Sequence, residues 1–373
     1  MNTDAGADRK RHFFHVLPTF APGGVQIRLA YLINNLRLPA RHSIVALDGN
    51  TSASSRLSED AEVDFIPVPP AIGLPGRLLA ARHIVKTHNP DLLLTFQWGA
   101  IEWALANRFC PVCPHIHLES GFGVEEATQQ IPRRVRMRRL ALGHIRNLIV
   151  PSRTLVDIAT NVWRLPKDKI LHIPNGVDIE KYAQEPDPDA IPGLTKRPGE
   201  VLVGTLTPLR PEKNLSRLIR AFGTARAGWT DCRLVIMGEG GERAKLEALV
   251  AELDLADQVI LAGHVDAPER ALGLLDIYAL SSDTEQMPNS INQAMAAGLP
   301  VVGLDVGDVK YIVGEENKAF IAPAGDEAAF GDLMGRLIED GDLRKAMGAA
   351  NKIHVGQHYA LEGMLTAYEK AWF

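Results

Sequence analysis

Short apolar runs alternate with amphipathic stretches from one end of this chain to the other, and that rhythm limits the folds open to it. His12–Leu17, Ser43–Leu47, Asp91–Phe96, Pro114–Leu118 and Asn147–Val150 each read as a buried strand. Between them lie segments such as Val25–Leu36, whose apolar residues recur at helical spacing. Strands alternating with helices predict parallel sheets covered on both faces. The rhythm breaks after Asp178, where Pro186, Pro188, Pro192 and Pro198 deny a continuous helix and suit a linker. It restarts with strand Val201–Leu206, helix Asn214–Phe222, strand Arg233–Met237 and helix Arg243–Leu253, and runs on to strand Pro300–Leu304. At 373 residues the chain is long enough for two domains. We expect two doubly wound, Rossmann-like α/β domains, 1–178 and 200–355, facing each other across a cleft. Residues 179–199 would link them, and a helix over 356–373 would pack back on the first.

Charge and composition remove several classes of function. A formal net charge of −5 disfavours a global nucleic-acid binder. Three cysteines cannot build a disulfide framework and fit a reducing compartment. The opening residues lack the apolar core of a signal peptide, and no apolar run approaches the roughly 18 residues needed to span a bilayer. The expectation is a cytoplasmic protein, with at most peripheral contact at the inner face of the cell membrane.

Three loops suit anion binding. The first strand runs into Pro22-Gly-Gly-Val25 at the start of a helix, where Gly23 and Gly24 let the backbone approach a ligand and the helix offers unpaired N–H groups. The second domain opens with Gly204 to Asn214, which carries Arg210 and Lys213 just before a helix and reads as a diphosphate clamp. The third runs from Ser281 to Val302: a helix begins near Asn289, ends at Gly298, and gives way to the strand that Pro300 admits. Glu285 precedes that helix and Gln293 lies one turn inside it, so both can project towards one ligand.

Six stretches in this order resemble the retaining family 4 glycosyltransferases of the GT-B fold, also called glycosyltransferase group 1. They are Pro22-Gly-Gly-Val-Gln26, Val150-Pro-Ser152, Ile173-Pro-Asn-Gly-Val-Asp178, Arg210-Pro-Glu-Lys-Asn214, Met237-Gly-Glu-Gly240 and Ala294-Met-Ala-Ala-Gly-Leu-Pro-Val-Val302. The resemblance covers nearly the whole chain. It implies an N-terminal acceptor-side domain, a C-terminal nucleotide-sugar domain and no obligatory metal or other cofactor. It places Gly23 and Gly24 near the donor phosphates, Lys213 on the diphosphate, and Glu285 against the donor sugar. Backbone groups of Met287, Pro288, Asn289, Ser290 and Ile291 would hold sugar and phosphate, and Val265, after Gly263-His264, would meet the nucleobase.

The chain departs from the family pattern at two positions. The second acid of the paired-glutamate motif, which grips the ribose hydroxyls, is Gln293, at the expected spacing from Glu285. The arginine that precedes the lysine of the phosphate loop is Pro208, leaving Arg210 to reach the same phosphate. The resemblance also implies a histidine touching the transferred sugar. His117 fits better than His115, because residues alternate faces along the strand and the following Gly-rich turn opens to the cleft, although a structural histidine is the alternative; Glu119 could orient the acceptor hydroxyl or support developing positive charge. Cys110-Pro-Val-Cys113 lacks the ligand spacing of a zinc site, and Asp187-Pro-Asp189 falls in the linker, so no metal site is expected. The basic run Arg133–Arg139 either contacts a membrane peripherally or forms a solvated helix face paired with Glu125 and Glu126.

The sequence thus predicts a hexosyltransferase that moves a sugar from a UDP- or GDP-sugar to a surface-glycan or lipid-linked saccharide acceptor. The alternatives are a non-catalytic relative that binds a sugar nucleotide or a partner, and a nucleotide-sugar epimerase.

Overall fold

The computed structural model describes residues 9–70, 72–122, 124–126, 129–226 and 231–373. The chain forms two units: one comprises residues up to Pro174 together with Leu365–Phe373, the other Asn175–Met364.

The first unit carries strands β1 (Arg11–Leu17), β2 (Ala40–Ala46), β3 (Val63–Phe65), β4 (Leu92–Phe96), β5 (His115–Leu118), β6 (Asn147–Val150) and β7 (Ile170–His172). They pair in parallel in the order β3-β2-β1-β4-β5-β6-β7. The order reverses between β1 and β4, the kind of switch point at which doubly wound sheets bind ligands.

The second unit repeats the plan with β8 (Val201–Leu206), β9 (Cys232–Met237), β10 (Val259–Gly263), β11 (Ile277–Leu280), β12 (Val301–Leu304) and β13 (Ile321–Ala322). Their order is β10-β9-β8-β11-β12-β13, with the switch between β8 and β11. Both faces of this sheet are buried, so its strands read as unbroken apolar runs. Leu202, Val235, Met237 and Tyr278 point into one core, and Val201, Val203, Leu234 and Ile277 into the other. The helix Leu215–Ala225 lays Leu215, Leu218, Ile219 and Phe222 on the second core, and the Asn214 side chain caps it by accepting from the Arg217 amide. Each such large apolar side chain contributes about 1.5–3 kcal/mol on burial.

The segment 179–199, read from sequence as a linker, packs into the second unit. Ile179–Tyr182 is helical, and Tyr182, Ile191 and Leu194 belong to the core. Lys196 donates to the Leu274 carbonyl and Asp276, and Arg233 reaches the Thr195 carbonyl. Proline blocks a helix but not burial, and here it shapes an irregular wall. The C-terminal stretch divides as well: one helix runs to His358 and another spans Leu361–Trp372, whose Trp372 packs in the first unit against Phe13 at 5.5 Å.

Candidate functional site

At the β8/β11 switch of the second unit, Lys213 Nζ lies 2.6 Å from Glu285 Oε1. Ser282 Oγ donates to the same oxygen at 2.7 Å. The two charged side chains are only 18% and 10% exposed. The two loops that carry them are tied by bonds that use neither charge. Ser281 Oγ donates to the Lys213 carbonyl, the Asp283 amide to the Glu212 carbonyl, and Asn214 Nδ2 to the Asp283 carboxylate. Arg217 then pairs with Asp283 at 2.7 Å. Gly307, at φ +55°, lets the loop after β12 close on this arrangement, since a Cβ there would come within 2.2 Å of the Glu285 carbonyl. Gly238, at φ +144°, does the same beside the Thr207 carbonyl, where a Cβ would approach to 2.0 Å.

The helix Asn289–Ala296 starts next to this pair, and Pro288 at its N-cap supplies no side-chain hydrogen bond. The amides of Asn289 and Ser290 are therefore open to an anion, whereas that of Ile291 is taken by the Pro288 carbonyl. Ser290 meets the Tyr278 phenol beneath, and Met287 is held by Asn175, whose Nδ2 donates to the Met287 carbonyl. A cation, an acid, open amides and a hydroxyl beyond the carboxyl ends of two central strands can neutralise a diphosphate and still offer a carboxylate to a sugar hydroxyl.

The first unit gathers a different set at the carboxyl ends of β4 and β5. His117 and Glu119 are both about 1% exposed. Thr95 on β4 faces His117 in register, and its Oγ1 lies 2.8 Å from His117 Nδ1 and 2.7 Å from His115 Nε2. Burial drives His117 well below the ordinary histidine range, helped by His115 and the Arg138 charge, and it pushes His115 down to about 3. Glu119 is pushed up to about 7 by burial, against the pull of Arg138 and of nearby backbone amides. Both its oxygens lack a hydrogen-bond partner of ordinary geometry, and Arg138 Nη2 stands 3.9 Å away. That guanidinium is committed to Glu126 through bonds of 3.0 and 2.9 Å, and it is boxed by the rings of Trp98, Phe122 and Trp163 at 5.0 to 5.3 Å. Burial would raise Glu126, but the bonds from Arg138, the Ile131 amide and Arg134 outweigh it and leave its pKa lowered.

Known proteins match both units. "Glycosyl transferases group 1" matches residues 188–354, and "Glycosyltransferase Family 4" matches residues 22–181. The chain belongs to the group 1 glycosyltransferases of the GT-B fold. Among its relatives is the GDP-mannose-dependent alpha-(1-6)-phosphatidylinositol monomannoside mannosyltransferase of Mycolicibacterium smegmatis. It is 29% identical over 209 residues, which is 53% of each chain. The 2-deoxystreptamine N-acetyl-D-glucosaminyltransferase of Streptomyces fradiae is 23% identical over 76% of this chain and 71% of its own length. For the N-acetyl-alpha-D-glucosaminyl L-malate synthase of Bacillus anthracis and the mycobacterial enzyme, the matched region spans only 43% and 53% of their lengths. Anabaena HepE, solved in complex with UDP, superposes with a TM-score of 0.81 at 19% identity, over 97% of this chain and 99% of HepE.

In this family member the structure brings Lys213, Glu285 and the start of the Asn289 helix together, and it leaves Arg210 and Pro208 exposed on the neighbouring loop. Val265 is buried just beyond β10, and the Ile291 side chain is fully buried, with its amide bonded to the Pro288 carbonyl. Gln293 bonds with the Tyr182 phenol, a partner contributed by the segment once read as a linker. Gly23 and Gly24 begin the helix Gly24–Asn35, which has no side-chain N-cap. The preference for His117 over His115 does not follow from strand alternation. Residues i and i+2 share a face, and both rings bond one hydroxyl. Sequence reasoning also missed Ser282 and Thr95, whose apolar or loop contexts carry no motif. The basic run is not a uniform solvated face: Arg138 is buried, Arg134 bonds Glu125 and Glu126, and Arg139 bonds the Val162 carbonyl, leaving Arg133 and Arg136 exposed. No group of three His, Cys, Asp or Glu side chains among the described residues is placed to hold a metal. No helix among them is long and apolar enough to cross a membrane.

Proposed function

We propose that this glycosyltransferase is a retaining hexosyltransferase that uses a UDP- or GDP-sugar and glycosylates a hydroxyl of a surface-glycan or lipid-linked saccharide. The observation that carries this reading is the Lys213–Glu285 pair beside the uncapped helix start at the β8/β11 switch. Diphosphate charge falls to Lys213, to Arg210 and to the amides of Asn289 and Ser290, without a metal. Release of Glu285 from Lys213 then frees a carboxylate for the donor sugar. As the C1–O bond to the diphosphate breaks, the acceptor oxygen bonds C1, giving the glycoside, the nucleoside diphosphate and one proton. The fixed cation and amides stabilise the leaving group much as a preorganised anion hole does. Gln293 takes the place at the ribose, offering one acceptor and one donor where an acid would offer two acceptors.

Support for the donor comes from HepE, solved with UDP and glucose, and from the GDP-mannose dependence named for the mycobacterial relative. Support for a lipid-linked acceptor comes from a Campylobacter jejuni relative named as acting on a diphospho-undecaprenol saccharide. Peripheral contact with an anionic bilayer would fall to Arg133 and Arg136.

Calorimetric titration with UDP, GDP, ADP and dTDP tests the reading. Micromolar binding selective for UDP or GDP is expected, with Gln293→Glu preserving or strengthening it. Binding of none of the four refutes a working donor site and favours the non-catalytic alternative. Donor turnover without any acceptor would favour the epimerase.

A further inference from the structure

His115, Thr95 and His117 form a hydrogen-bonded row across two neighbouring strands, with Thr95 fully buried between the imidazoles. A threonine hydroxyl has one proton to give. With both histidines neutral, only two arrangements satisfy every group in the row. In one, His115 Nε2–H donates to Thr95 and Thr95 donates to His117 Nδ1, so both rings carry their proton on Nε2. In the other, both donations reverse and both rings carry it on Nδ1. The two tautomers are therefore locked to each other through one hydroxyl.

The far end of the row decides between them. His115 lines a cavity of about 430 Å³ at the amino-terminal edge of the sheet, together with Arg108, His144 and Arg146. The two arginines are donors only, His144 can donate or accept, no carboxylate lines the cavity, and the Asn107 oxygen in the same wall is already taken by the Val112 amide. A ring nitrogen on that side is better satisfied as a bare acceptor, so His115 keeps its proton on Nε2.

We propose that Thr95 and His115 are positioning residues that fix His117 as the tautomer carrying its proton on Nε2, leaving it able to donate to a substrate oxygen and unable to serve as general base. Burial and the Arg138 charge keep the ring neutral and reinforce the lock. The consequence for turnover rests on the function proposed above; the tautomer itself does not.

Proton–nitrogen correlation spectra of the full chain with isotope-labelled histidine read the tautomer directly, and His117→Gln and His115→Gln assign the two rings. A protonated Nε2 and a bare Nδ1 on both rings is expected. A protonated Nδ1 on either neutral ring overturns the proposal. Thr95→Val keeps the shape and removes the hydroxyl; it should give His117 a mixture of tautomers, and Thr95→Ser should restore the single one. An unchanged His117 signal in a folded Thr95→Val protein also overturns the lock. In transfer assays Thr95→Val should lower kcat about tenfold with KM for the donor unchanged, with recovery in Thr95→Ser. Should the spectra shift as expected while kcat does not, the lock stands and the role given to His117 in transfer falls.

Discussion

Removing the Lys213 ammonium puts the diphosphate clamp to its sharpest test. In the free protein this cation is held by Glu285 at 2.6 Å, and Glu285 keeps a second bond from Ser282. A hydrogen bond between charged partners contributes about 1.5–3 kcal/mol, so Lys213→Ala should weaken nucleoside diphosphate binding by roughly 10- to 150-fold. Glu285→Gln acts in the opposite direction. It keeps an oxygen for Ser282 but releases the cation from its competitor, so diphosphate affinity should hold or rise while sugar transfer falls. Calorimetry with UDP and GDP on both variants, with denaturant curves to confirm folding, separates the two effects. An affinity within twofold of the parent in Lys213→Ala refutes the clamp. A Glu285→Gln protein weakened as much as Lys213→Ala refutes the competition between carboxylate and phosphate.

Three further outcomes follow from buried charge. His15 Nε2 meets His42 Nδ1 at 2.9 Å inside the first unit, and burial and neighbouring histidines hold His15 well below the ordinary range and His42 at about 4. The unfolded chain takes up these protons first, so stability should drop as pH falls from about 6.5 to about 4, by about 3 kcal/mol for His42 alone, and His42→Gln should flatten that slope in thermal melts. Glu119 has the opposite sign: its pKa is raised to about 7, so stability is lost as pH rises towards 7, and Glu119→Gln should gain on the parent through that window. Arg138→Met should cost about 3–5 kcal/mol in denaturant unfolding, because Glu126 and Glu119 would lose their buried cation; a cost below about 1 kcal/mol would show that the aromatic box, not the charge, holds this region.

The doubly wound fold was legible because β1, β4, β8, β9 and β11 are interior strands, buried on both faces and therefore written as apolar runs. Strands β3, β7 and β13 lie at sheet edges, are two or three residues long, and left no run to read. Lys213, Glu285 and the Asn289 helix start were readable from local spacing, since each belongs to a loop that leaves a strand. The setting of Arg138 was not, because its box is assembled from Trp98, Phe122 and Trp163 on separate elements. The same holds for Thr95: nothing in Leu-Leu-Leu-Thr-Phe marks its hydroxyl as the bridge between two histidines of the next strand.

The division of the chain has a consequence for biosynthesis. Leu365–Phe373 belongs to the first unit, where Trp372 is buried against Phe13 and His15 on the very first strand. A ribosome delivers Phe13 before the whole second unit and Trp372 after it. The first unit must therefore wait with part of its interior uncovered until Trp372 has emerged. Shortening the chain after Met364 would leave the second unit whole yet strip the aromatic plug from the first. Cleavage or release just after Met364 should thus surface as aggregation of the first unit.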